Sequence, residues 1–160
     1  MQDRLCELLP RLRRFARALA GDPGDADDLV QIALERALVR SAQWRPGESL
    51  EAWVFGIVRN AWIDELRARR RRHQVFAPEE AGEHVGAATV DGQAAAISVR
   101  AAVSRLTPEQ REVVALVLVE GLAYREAAAV LDVPIGTVTS RLARAREALQ
   151  GMLEGYDRGR

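Results

Sequence analysis

Hydroxyls and guanidiniums recur at helical spacing in VPIGTVTSRLARAREAL, residues 133–149. On a helix, Gly136, Thr139, Ser140, Ala143 and Arg144 fall on one face, with Thr137 and Arg141 at its edge. Val138, Leu142, Ala145 and Leu149 fall on the opposite face. Short side chains near the start of such a helix let its backbone approach a groove. Thr and Ser can bond phosphate or base edges, and Arg can fork onto either. No acid occurs between Thr137 and Arg146. A solvated surface helix gives a similar pattern, so the neighbouring elements decide between the two. A second cationic group stands upstream, with Arg67, Arg69, Arg70, Arg71 and Arg72 at the end of a helical pattern. Cations suit a helix C-terminus, but five arginines in six positions exceed what capping needs, and they repel one another unless an anion lies nearby.

Other chemistries have less to work with. The single Cys6 excludes an internal disulfide and a cysteine cluster for zinc, and the only histidines are His73 and His84. With no nucleophile–base set and no metal cluster in view, the sequence predicts a protein that is not an enzyme. It predicts no cofactor, no metal and no small-molecule substrate. The amino end, MQDRLCELLPRLRRF, is an interrupted amphipathic pattern with no long apolar run, so neither a signal peptide nor membrane insertion is expected, and a cytoplasmic location is.

The elements that must position these residues are helical. At 160 residues, 48% hydrophobic but only 5% aromatic, the chain can fill one large or two small cores, mainly with Leu, Val and Ala. Leu5, Leu8, Leu9, Leu12, Ala16 and Leu19 mark a first helix, which Gly21-Asp22-Pro23-Gly24 interrupts. Asp25 is placed to cap a second helix, DADDLVQIALERALVR, with Asp27 and Asp28 in its first turn. Its Leu29, Val30, Ile32, Leu34 and Leu38 exceed what one buried stripe needs. SAQWRPGES reads as a loop, with Ser49 capping a long helix, LEAWVFGIVRNAWIDELRARRRR. Residues 75–93 show no period and read as a flexible acidic linker. Helical patterning resumes near Ala94. Thr107-Pro108-Glu109-Gln110 is a capping-box start for a helix running to Gly121. The pair YREAAAVL and VPIGTVTSRLARA then has the layout of a helix-turn-helix. Asp132 tolerates the left-handed backbone of a sharp turn, and Val133 with Val138 can form a hydrophobic staple. Together these neighbours favour a DNA-contacting role for residues 133–149.

The predicted fold class is therefore all-α, as two small helical domains, 1–74 and 94–160, joined by the linker 75–93. All 23 cations are arginine, a residue suited to phosphate and guanine, although a GC-rich genome gives the same bias. The net charge is zero, which argues against indiscriminate nucleic-acid binding. Its distribution is uneven. Residues 1–74 hold 14 Arg against 11 acids, a balance of +3; residues 75–99 hold no Arg and 4 acids, −4; residues 100–160 hold 9 Arg against 8 acids, +1.

LTPEQREVVALVLVEGLAYREAAAVLDVPIGTVTSRLARAREAL resembles the fourth conserved region of bacterial sigma factors in the extracytoplasmic-function group, and GTVTSRLARAR is its most specific part. In the first block, DADDLVQIALERAL resembles that group's core-polymerase-binding helix, and WVFGIVRNAWIDELRARRRR the helix that follows it. The resemblance implies an RNA polymerase sigma factor that binds core polymerase and directs promoter-specific transcription initiation. The first domain would bind core polymerase and the minus-ten promoter element, and the second the minus-thirty-five element. The linker would thread through polymerase, its acids either mimicking nucleic acid or simply solvating a tether. An anti-sigma factor is the implied regulatory partner, beside core RNA polymerase and promoter DNA.

Carried onto this chain, the resemblance assigns Asp25, Asp28, Leu29, Val30 and Gln31 to polymerase docking. The loop from Ser41 to Ser49 corresponds to the group's capture site for an unstacked base, where Trp44 could stack or could instead be a lid on the core. Arg59, Asn60, Asp64 and Arg67 match the group's motif on the long helix. For Asn60 and Asp64, base contact and buried hydrogen bonds that fix the loop both stay open. Arg67, Arg70 and Arg71 would meet minus-ten phosphates. Thr137, Thr139, Ser140, Arg141 and Arg144 would contact the minus-thirty-five duplex. Thr139 stands where the group often has a cation, and Asp132 replaces a commoner glycine. Two other functions compete. One is a sigma-like decoy that binds an anti-sigma regulator without engaging promoters; the other is a simple helix-turn-helix repressor, which leaves the first block unexplained.

Overall fold

The computed structural model describes residues 1–75 and 94–157, and these are all-helical. They fall into two compact units, each with its own core. The expected linker lies outside the described residues, except that Val75 is the last residue of a helix.

In the first unit, α1 (Gln2–Ala20), α2 (Pro23–Val39) and α3 (Leu50–Val75) pack together, with a short 3-10 turn over Ser41–Gln43. α1 continues through Pro10 and buries Leu5, Leu8, Leu12, Phe15, Ala16 and Leu19. Its interrupted pattern therefore belongs to one continuous helix. Gly21 ends it at φ 75°, a left-handed backbone that suits glycine. The cap of α2 is Asp22, one turn earlier than the sequence pattern indicates. Its carboxylate accepts the Asp25 amide at 2.9 Å, and Pro23 takes the first helical position, where no amide donor is needed. Ser49 does begin α3, its hydroxyl accepting the Ala52 amide at 3.2 Å. Phe15 and Phe55 meet edge-to-face at 5.1 Å in the centre of the unit.

In the second unit, α4 (Ala94–Ser104) leads to α5 (Pro108–Val113), whose capping box between Thr107 and Gln110 is complete in both directions. The expected uniform helix to Gly121 is not what forms. From Val114 to Val119 the backbone widens into a π-helical turn, and the Glu120 amide reaches back five residues to Ala115 at 2.9 Å. The extra residue shifts the phase of the pattern, so Val113 to Leu116 are all buried while Leu118 and Val119 are exposed.

α6 (Tyr124–Leu131) and α7 (Ile135–Asp157) form the helix-turn-helix. The turn hinges on Asp132, at φ 54° and ψ 50°, and the Val133 amide bonds Ala128 O at 3.1 Å to close the end of α6. Ala127, Ala128, Val130 and Leu131 of α6 and Val138, Leu142 and Ala145 of α7 are buried. The outer face of α7 is left to solvent.

Candidate nucleic-acid interface

α7 orients its residues as helical periodicity dictates. Gly136, Thr139, Ser140, Ala143 and Arg144 are exposed, and Thr137 and Arg141 are half-buried at the edge of that face. Among the described residues neither Arg141 nor Arg144 has an acidic partner, so both guanidiniums remain available to an incoming anion. The two hydroxyls are committed. Thr139 Oγ1 donates to Ile135 O at 3.2 Å, and Ser140 Oγ donates to Gly136 O at 2.8 Å. Each turns its lone pairs outward, a state suited to accepting from a base amino group; bonding a phosphate oxygen requires the hydroxyl to rotate first.

In the first unit the arginine cluster divides into two sets. Arg69 Nη2 lies 2.9 Å from Asp25 Oδ2 and its Nε 3.1 Å from Glu65 Oε1, which Arg72 Nη2 also reaches at 3.2 Å. Arg67, Arg70 and Arg71 are exposed, without an acidic partner among the described residues. The anion that the crowded cluster demands is thus supplied internally, but only to one face of α3. Hydrogen bonding from Arg69 lowers the Glu65 pKa from 4.5, assisted by Arg72 and opposed by partial desolvation. A depressed carboxylate stabilises the fold above its unfolded pKa, and that contribution disappears as pH falls through the folded value. Wild type should therefore lose stability below pH 4.5 that Glu65→Gln does not lose. The loss should stay within about 1 kcal/mol, because water screens a partly exposed pair. Thermal unfolding of both proteins across the acid range measures it.

Asp64 is exposed and accepts Arg36 Nη1 at 2.9 Å, a tie between α3 and α2. Asn60 is exposed too, so buried hydrogen bonding by these two residues is excluded. Arg59 is half-buried. Trp44 is half-buried as well, its Nε1 donating to Glu48 O at 3.2 Å while the Arg4 guanidinium covers the ring at 5.5 Å. The indole thus closes its own loop and ties it to α1. Neither Arg4 nor Arg36 stands out in the sequence, because both partners are distant along the chain.

The outer surface of α2 differs from the expected one. Leu29 and Val30 are 3% and 4% exposed and belong to the core, so they hold the helix in place without forming its outer face. Asp28 and Gln31 are on that face and Asp25 is half-buried at its edge; Ile32, Glu35 and Leu38 continue the stripe, and Val39 is 85% exposed. Beside it, Gln2, Leu5, Cys6, Leu9, Leu34 and Leu38 line an apolar cleft of ≈ 290 Å³ between α1 and α2. Among the described residues no three His, Cys, Asp or Glu side chains are grouped to hold a metal ion, and no helix is long and apolar enough to cross a membrane.

Two family models match in order: sigma-70 region 2 over residues 6–72, and sigma-70 region 4 over residues 96–149. An ECF RNA polymerase sigma factor of Rhodopseudomonas palustris, EcfG, is 37% identical over 157 residues, covering 96% of this chain and 84% of that one. The ECF RNA polymerase sigma factor SigC of Mycobacterium tuberculosis is 35% identical, covering 90% and 78%. Among solved structures, the sigma factor RpoE of Bartonella quintana, in complex with the anti-sigma factor NepR, superposes with a TM-score of 0.76. It is 34% identical, and the match covers 96% of this chain and 98% of that one.

Proposed function

The chain belongs to the ECF group of RNA polymerase sigma factors, and on that footing we propose that its two units divide promoter recognition between them. The first unit docks on core polymerase through the outer stripe of α2, with Asp25, Asp28 and Gln31 as its polar contacts and Leu29 and Val30 supporting them from beneath. The same unit engages the minus-ten element through α3 and the loop before it. Arg67, Arg70 and Arg71 meet phosphates there, Arg59, Asn60 and Asp64 line the approach, and Trp44 shapes the loop that receives an unstacked base. The second unit presents Thr137, Thr139, Ser140, Arg141 and Arg144 to the major groove of the minus-thirty-five element. The protein directs initiation without catalysing it and works in the cytoplasm, where polymerase is. An anti-sigma factor covers its polymerase surfaces, in keeping with the NepR complex of the Bartonella relative.

One observation carries this reading: an acid-free outer face on α7, at the second helix of a helix-turn-helix, carrying two guanidiniums without an acidic partner among the described residues. A near-neutral chain gains its DNA affinity from such a local patch together with polymerase, and not from net charge. Size-exclusion chromatography tests it. The chain should co-elute with core polymerase, and the complex should retain a promoter fragment that the chain alone releases at physiological salt. A chain that binds an anti-sigma protein and leaves core polymerase untouched is a decoy.

A further inference from the structure

Asn60, Asp64, Arg67 and Arg71 follow one another at intervals of four, three and four residues, so they form a single exposed stripe along α3. Arg69 lies on the other side of the helix, where Glu65 holds it. Asp64 is the one acid in this stripe. Arg67 stands three residues on, the spacing at which a carboxylate and a guanidinium pair on a helix. Asp64 Oδ2 instead takes Nη1 of Arg36 at 2.9 Å, from a different helix and 28 residues away in the chain. Arg67 is left without an acidic partner among the described residues. The Asp64 side chain is 54% exposed, so its charge would confront an approaching phosphate if Arg36 did not neutralise it.

We propose that Arg36 is a positioning residue for the minus-ten face: by masking Asp64 it keeps Arg67, with Arg71, free for promoter phosphates. Without the mask, the carboxylate either draws Arg67 across one turn or holds a salt cation that must stay confined in the interface. Both outcomes remove one phosphate contact. The inference rests on reading α3 as a DNA face. It gives α2, through Arg36, a part in DNA binding as well as in docking.

The test uses the full chain with Arg141 and Arg144 both replaced by alanine, so that α7 adds little to binding. Its probe is a short fluorescein-labelled duplex of arbitrary sequence, with anisotropy followed against salt. Each phosphate contact contributes about 0.9 to the slope of log K against log salt. Arg67→Ala, the benchmark, should flatten the slope by that amount. Arg36→Ala should flatten it equally, so that its deficit grows about fourfold as salt falls roughly fivefold. Adding Asp64→Asn to Arg36→Ala should restore the slope, because no mask is needed once the charge is gone. Arg36→Met, which keeps the aliphatic stem, replaces Arg36→Ala if the alanine variant unfolds. The proposal is overturned if the slope survives Arg36→Ala. It is equally overturned if Asp64→Asn fails to restore the slope, which would make Arg36 a phosphate ligand in its own right. In both cases a flattened Arg67→Ala slope leaves α3 standing as a DNA face. If Arg67→Ala changes nothing, the DNA reading of α3 falls and the proposal falls with it.

Discussion

Arg144→Ala and Arg141→Ala are each expected to weaken binding to a minus-thirty-five duplex by about 10- to 100-fold, corresponding to about 1–3 kcal/mol per bidentate contact. Both side chains leave α7 on the solvent side of a face whose opposite residues, Val138, Leu142 and Ala145, are fully packed. Neither has a carboxylate partner among the described residues, so within them contact with DNA breaks no ion pair. Fluorescence anisotropy with a set of duplexes separates the two modes of contact. A base-reading arginine relaxes discrimination at one position when removed, whereas a phosphate-binding one weakens all sequences alike and lowers the salt slope by about one. Thr139→Ala should matter less, because its hydroxyl already donates to Ile135 O and offers DNA only its lone pairs. Core polymerase binding should survive all three substitutions, since α2 lies in the other unit. Loss of polymerase binding would reassign α7 to docking.

Phe55→Ala is expected to cost about 3–5 kcal/mol. The ring has no solvent exposure, meets Phe15 at 5.1 Å and lies 5.5 Å beneath the Arg11 guanidinium. A domain of this size has only about 5–15 kcal/mol to lose. The first unit should therefore unfold at or near physiological temperature, taking polymerase and minus-ten binding with it. The second unit has its own core around Leu116, Leu131 and Leu142 and should stay folded. Hydrogen exchange resolves the outcome: fast exchange confined to α1–α3 supports two independent cores, and uniform acceleration of both units contradicts it.

Much of this was legible in the sequence because local chemistry controls it. The Thr107–Gln110 capping box, the Ser49 cap, the left-handed Asp132 and the inner face of α7 follow from spacing and backbone preference alone. What stayed hidden depends on partners remote in sequence or on changes of phase. Asp22 displaced Asp25 as the α2 cap because Pro23 is favoured at the first helical position, which freed Asp25 for Arg69. Leu29 and Val30 match a docking motif in sequence yet face inward; a motif records which residues recur, not which of them touch the partner. The π-helical turn at Val114–Val119 was invisible because a run of valines and leucines is apolar under any helical period. Spacing along α3 already pairs Glu65 with Arg69 one turn on, but it does not reveal the second partner of Arg69. That second partner is Asp25, which reaches Arg69 only through the packing of α2 against α3.

Run-off transcription tests the central claim most directly, with purified core polymerase, this protein and a library of promoter fragments. The expected result is a discrete set of transcripts that share an upstream and a downstream element, depend on the protein, and fade when Arg141 and Arg144 are both alanine. If core polymerase with this protein starts no specific transcript, while the protein still binds an anti-sigma regulator, the chain is a decoy and its DNA-facing surfaces serve another purpose.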